Sequence, residues 1–135
     1  WLAKTVTTLR SKSVIGLGTS AGGLPALIAG DILQWERAIA ICPDEISRHP
    51  ELLEIMPWTS SGDQPNRSKR LVFYGSENAR DCSAADQVAQ LMPEVLMFPV
   101  SNCGAHNIFH AAFSKGKLGE LFEILFHADT GRHVL

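Results

Sequence analysis

The stretch SVIGLGTSAGGLPALI, residues 13–28, decides the fold. Ser13-Val14-Ile15-Gly16-Leu17 is a short apolar run bounded by glycine, the pattern of a strand buried on both faces. Gly18-Thr19-Ser20-Ala21-Gly22-Gly23 follows. Residues 24–33 are then apolar and long enough for a helix. Pro25 fits the first turn of that helix, where its missing N–H costs nothing.

The same alternation runs outward from this stretch. Upstream, Leu2, Val6 and Leu9 stand at helical spacing, so residues 1–10 read as the end of an amphipathic helix. Downstream, Ala38-Ile39-Ala40-Ile41-Cys42, closed by Pro43, reads as a second buried strand. Residues 46–58 are mixed, with a short helix expected at 51–56, and 59–70 reads as a polar surface loop. Leu71-Val72-Phe73-Tyr74 before Gly75 is a third strand, 84–92 a helix, and Val95-Leu96-Met97-Phe98 a fourth strand ended by Pro99. The last helix falls within 110–126, where Leu118, Leu121, Phe122 and Leu125 share a face, with a boundary near Lys115-Gly116. Apolar strands separated by helices predict an α/β fold, a three-layer α/β/α arrangement around a mostly parallel sheet. Residues 1–135 read as one domain, with no internal repeat and no second-domain linker.

Composition limits the function classes. With 45% hydrophobic and 19% charged residues the chain has the make-up of a soluble globular domain. A net charge of −2 argues against a nucleic-acid binder or an anionic-membrane binder. The locally basic Asn66-Arg67-Ser68-Lys69-Arg70 stretch reads as a solvated loop. No apolar run approaches the about 20 residues that span a bilayer. Cys42, Cys82 and Cys103 form no C-x-x-C pair, so no zinc knuckle or redox motif is expected. Their pattern suits a reducing compartment, and the expected location is cytoplasmic. Cys42 reads as a small buried hydrophobe.

The chemistry is carried by G-x-S-x-G at Gly18-Thr19-Ser20-Ala21-Gly22, set between a strand and a helix. A sharp strand-to-helix turn forces Ser20 into a strained backbone conformation and lifts its hydroxyl above the sheet. Gly18 and Gly22 are expected to be glycine because side chains there would collide with neighbouring backbone. Ser20 would lie near the positive end of the next helix, with the Ala21 N–H as an oxyanion donor. The competing reading is a phosphate-binding turn. The dinucleotide pattern, however, needs glycine where Ala21 stands, and no Walker lysine follows.

A serine hydroxyl needs a base. His106, in the loop after the fourth strand, lies at the sheet edge that also carries Ser20. His110, four residues on, could pair with His106 around a metal, but no H-E-x-x-H glutamate accompanies it. His49, His127 and His133 read as surface residues. For the acid, which would hold the imidazole tautomer, Asp81 leads in the loop after the third strand. Glu77 and Asp44 remain alternatives, and each could equally be a cap or loop carboxylate. Met56 and Trp58 could line an acyl pocket or simply pack.

These residues resemble the α/β-hydrolase superfamily of esterases, lipases and related serine hydrolases. Gly18-Thr19-Ser20-Ala21-Gly22-Gly23 is similar to its nucleophile turn, Tyr74-Gly75 with its acidic loop to its acid-bearing strand end, and Gly104-Ala105-His106 to its histidine loop. The resemblance covers nearly the whole chain and about the last half of the family's fold. It implies that the family's first strands, and the loop giving a second oxyanion N–H, are missing, so one sheet edge would be exposed. In many members the acid stands three residues after the glycine matching Gly75. Here that residue is Asn78, so a slightly longer loop delivering Asp81 is expected. The short stretch between the second and third strands leaves no room for a large lid.

The resemblance implies a serine hydrolase that cleaves an ester or related acyl bond through Ser20, His106 and Asp81. The expected partner is a small acyl substrate, without cofactor or metal. The same triad could pass the acyl group to an alcohol or amine. A catalytically silent binding module is the remaining alternative.

Overall fold

The computed structural model describes residue 5 and residues 13–55 and 68–127. Met56, Trp58, His133, most of the helix expected at 1–10 and most of the loop at 59–70 lie outside them. Four parallel strands, β1 (Ile15–Thr19), β2 (Arg37–Ile41), β3 (Lys69–Gly75) and β4 (Leu96–Val100), form one sheet in the spatial order β1-β2-β3-β4. The helices are α1 (Gly23–Ile32), α2 (Pro50–Glu54), α3 (Ala79–Leu91), α4 (Ile108–Ser114) and α5 (Leu118–His127), with 3₁₀ turns at Ser20–Gly22 and Ile46–Arg48. No helix among the described residues is long and apolar enough to cross a membrane.

The strands are parallel because each pair is joined by a crossover too long for a hairpin. Alternate residues of the strands feed two apolar clusters. Ala38, Ala40 and Val72 pack with Leu24, Leu27 and Ile28 of α1 and with Ala85 and Val88 of α3. Ile39, Ile41, Leu71, Phe73, Phe98 and Val100 pack with Ile108 and Ala112 of α4 and Leu121 and Leu125 of α5. The first cluster uses small strand residues so that α1 can sit close: a Cβ on Gly30 would lie 2.4 Å from that of Ala38. The second is filled by larger side chains, including the Phe73 and Phe98 rings stacked 4.6 Å apart. Leu27, Leu71, Leu121 and Leu125 are fully buried, each contributing about 1.5–3 kcal/mol.

Several boundaries differ from the sequence reading. Pro99 does not end β4 but lies inside it, opposite Tyr74. Among the described residues β4 is the edge of the sheet, the place where a missing N–H is tolerated. Lys69 and Arg70 are not loop residues but open β3. Arg70 is buried, paired with Asp31 at 3.1 Å and Glu94 at 3.4 Å, which offsets the cost of removing its charge from water. The break expected near Lys115-Gly116 is present: Lys115 caps α4 and Gly116 takes φ +67°.

Candidate active site

Parallel strands end on the same edge, and this edge gathers the chemistry. Ser20 follows β1, Cys42 and Asp44 follow β2, Asp81 lies just beyond β3, and His106 follows β4.

At the first corner the chain passes from extended Thr19 into Ser20 at φ 49°. A left-handed conformation at a non-glycine residue costs about 1–3 kcal/mol and persists only where the surroundings enforce it. Two neighbours enforce it: the Ser20 carbonyl accepts from the N–H of Gly23 and from that of Asp44 at 3.1 Å. Gly18 is required sterically, since a Cβ there would lie 2.0 Å from the Gly22 carbonyl oxygen. Gly22 is not: a Cβ there meets nothing within 4 Å. The second crowded glycine is Gly23, whose added Cβ would lie 3.1 Å from Pro43. The expected collision at Gly22 is thus displaced by one residue, because the turn tightens against the end of β2.

The acid arrives on a helix, not on a lengthened loop. α3 begins at Ala79, five residues before the expected start at 84. Asn78 caps it, its side-chain oxygen accepting from the N–H of Arg80 at 3.1 Å and of Asp81 at 3.2 Å. Asp81 therefore sits in the first turn, at the positive end of α3, where negative charge is favoured. It is fully buried.

His106 lies in the loop between β4 and α4, which runs directly over Gly75. A Cβ on Gly75 would lie 2.5 Å from the Cys103 carbonyl oxygen and 3.2 Å from that of Ala105. Tethers fix this loop: the Glu77 N–H donates to the Cys103 carbonyl at 3.1 Å, and Asn78 Nδ2 donates to the Gly104 carbonyl at 3.2 Å. Asn107 then caps α4 by accepting from the His110 N–H at 3.1 Å.

These elements bring three side chains into line. His106 Nε2 is 3.0 Å from Ser20 Oγ, and His106 Nδ1 is 2.7 Å from Asp81 Oδ1. With Nδ1 protonated, the ring donates to Asp81 and accepts from the Ser20 hydroxyl, so both nitrogens are satisfied.

No protein-family model, curated protein or solved structure matches this chain.

The other candidates fall elsewhere. Glu77 is exposed. Asp44 is engaged elsewhere: it accepts from Arg80 and from the Glu45 N–H at 3.1 Å, with the Arg48 guanidinium and the His49 ring each 3.7 Å away. Burial opposes its charge, but the Arg80 hydrogen bond prevails, and the Asp44 carboxyl is held below the usual carboxylate range. The His49 ring lies between two carboxylates, with Glu51 at 3.6 Å from its other nitrogen. His110 lies on α4, and the donor group of three at the site, Cys42, Asp81 and His106, does not include it. Ala21 stands within the 3₁₀ turn after Ser20, where the first N–H groups lack intrahelical partners.

Sequence reasoning missed Asn78 and Cys42. Asn78 joins the acid to the histidine loop, and an asparagine just before a helix is the signal that marks it. Cys42 is more than a buried hydrophobe. It adopts φ 44°, its N–H donates to the Phe73 carbonyl at 2.7 Å, and its sulfur lies beside Asp81. Burial, and then the neighbouring Asp81 carboxylate, push its thiol far above the ordinary range. Its only signal was position, one residue past a strand on the edge that carries Ser20. A cavity of about 240 Å³ opens beside Ser20, lined also by Thr19, Ile41, Cys42, His106 and Phe109.

Proposed function

We propose that this chain is a serine hydrolase of the α/β-hydrolase type, a three-layer α/β/α fold, that cleaves an ester or related acyl bond. The observation that carries the reading is the unbroken line Ser20–His106–Asp81, at 3.0 and 2.7 Å, beginning at a strained serine between strand and helix. Ser20 Oγ attacks the acyl carbon while His106 Nε2 takes its proton. Asp81 holds the imidazole in the required tautomer and stabilises the imidazolium. His106 then returns the proton to the leaving alkoxide, and a water deprotonated by the same nitrogen releases the acid and frees Ser20. The Ala21 N–H, in the turn that begins at Ser20, serves as the oxyanion donor. The small acyl substrate occupies the cavity of about 240 Å³.

The His106 side chain is 38% exposed. That openness gives water the access to the acyl-enzyme that hydrolysis needs. An intact line of serine, histidine and acid argues against a silent binding module.

The test is a fluorophosphonate probe. The chain is expected to become covalently labelled, and Ser20→Ala is expected to abolish labelling. Labelling that persists in Ser20→Ala, or its absence in the wild type, sinks the assignment.

A further inference from the structure

Asp81 presents two oxygens, and the triad uses only one. Oδ2 is buried without a hydrogen-bond partner, an arrangement that costs about 1–3 kcal/mol for a polar group and more for a charged one. The nearest unassigned chemistry is the Cys42 sulfur. One donor atom from each of Cys42, Asp81 and His106 falls within 4.8 Å of the others. A thiolate, a carboxylate and an imidazole together make the donor set of a zinc-type site with one open position.

We propose that Cys42, Asp81 and His106 form a binding site for a thiophilic divalent cation, of the zinc or cadmium kind, and that occupying it disables the triad. The site itself stands apart from the hydrolase reading. Only its inhibitory consequence rests on that reading.

The geometry supports mutual exclusion. Bonds of about 2.0–2.3 Å around a tetrahedral ion place ligand atoms about 3.3–3.8 Å apart. The Asp81 Oδ1–His106 Nδ1 pair, at 2.7 Å, is closer than that and must open. Asp81 is fixed in the first turn of α3, and Cys42 is buried behind β2. His106, whose side chain is 38% exposed, is the ligand that can turn about its own side-chain bonds while its loop stays tethered. Its Nδ1 cannot hold both the ion and the proton donated to Asp81. The ion enters through the cavity beside Ser20, which Cys42 and His106 both line. Coordination forms the sulfur–metal bond and releases the thiol proton to solvent, and the imidazole proton leaves Nδ1 and is carried on Nε2, so the ring ligates as neutral imidazole. Two anionic ligands then balance the double charge, and water fills the fourth position.

The experiment is titration of the full chain with CdCl₂, read by sulfur-to-cadmium charge-transfer absorption and by calorimetry. Wild type and Ser20→Ala are expected to bind one ion per chain with the absorption band. Cys42→Ser, which keeps the size and burial of the side chain, is expected to lose the band and weaken binding about 100-fold or more, at least the loss seen for outer-shell partners. No band in the wild type, or a band retained in Cys42→Ser, overturns the site. In parallel, ZnCl₂ is expected to block fluorophosphonate labelling of the wild type and not of Cys42→Ser; equal block of both overturns the inhibitory consequence. If the wild type shows the cadmium band but takes no label without metal, the hydrolase reading fails and the site stands.

Discussion

Gly18→Ala should damage the site far more than Gly22→Ala, although both glycines belong to one motif. A Cβ on Gly18 would lie 2.0 Å from the Gly22 carbonyl oxygen, 2.5 Å from its carbon and 2.9 Å from the Ala26 Cβ. A relaxed carbon-to-oxygen contact needs about 3.3 Å, so strand and helix must separate by more than 1 Å. The obstacle is backbone, which cannot rotate away, and Ser20 lies on the segment that must move. Overpacking of this kind costs about 1–3 kcal/mol of stability. A misplacement of about 1 Å at a reacting group costs about 100-fold in rate. Gly22 has φ −81° and open space around an added Cβ. Alanine there should be neutral or slightly stabilising, because it restricts the unfolded chain. The assays are kcat/KM on an activated ester and the urea midpoint, measured for both variants. A Gly18→Ala protein with wild-type rate and midpoint, or a Gly22→Ala protein as damaged as Gly18→Ala, would refute the steric account of the turn.

Asp81→Asn should lower kcat by about 10³–10⁴-fold because the imidazole loses the partner that fixes its tautomer, whereas Glu77→Gln, altering an exposed carboxylate, should leave kcat unchanged; equal losses would remove Asp81 from its role. Asn78→Ala should cost about 1 kcal/mol through the lost cap, about 4 °C in Tm. Asn78→Ser should keep the cap and most of the stability yet still lower kcat/KM, since it loses the Nδ2 bond to the Gly104 carbonyl at 3.2 Å; unchanged activity in both variants would show that this bond does not position His106. Asp44→Asn should lower stability at neutral pH and flatten its fall toward acid. A carboxyl held low in the folded state stabilises fully above its unfolded pKa of about 3.9 and loses that contribution as pH falls further. The denaturation midpoint of wild type should therefore approach that of Asp44→Asn below about pH 4, and a constant gap across that range would contradict the Arg80 pairing.

The parallel sheet was legible because its strands are short apolar runs, and a strand buried on both faces has little else it can be. Ser20, Asp81 and His106 were legible because each lies just past a different strand, and parallel strands deliver their ends to one edge. What the sequence hid were features settled across the sheet. Pro99 punctuates a chain read locally, but the edge position of β4 lets it stay in the strand. Arg70 looks like a loop cation until Asp31, from α1, and Glu94 meet it. The early start of α3 turns on Asn78, whose capping role competes with a plain loop reading of the same polar residues. Gly22 was misjudged because the motif spaces its glycines evenly, whereas the crowding depends on where Pro43 comes to rest.

Two members of the line are held rigidly and one is not. Ser20 is pinned by two hydrogen bonds to its own carbonyl, and Asp81 by its place in a capped helix. His106 depends on how its loop is tied down. The ties come from different parts of the chain: Glu77 and Asn78 hold Cys103 and Gly104 from the acid side, and Lys115 Nζ donates to the Asn102 carbonyl at 3.0 Å from the end of α4. All of them require the loop to lie flat on the end of β3, which the missing side chain of Gly75 permits. The residues that set the 3.0 Å reach from His106 to Ser20 are therefore mostly not the three in line. They are the small and capping residues between β3 and α3.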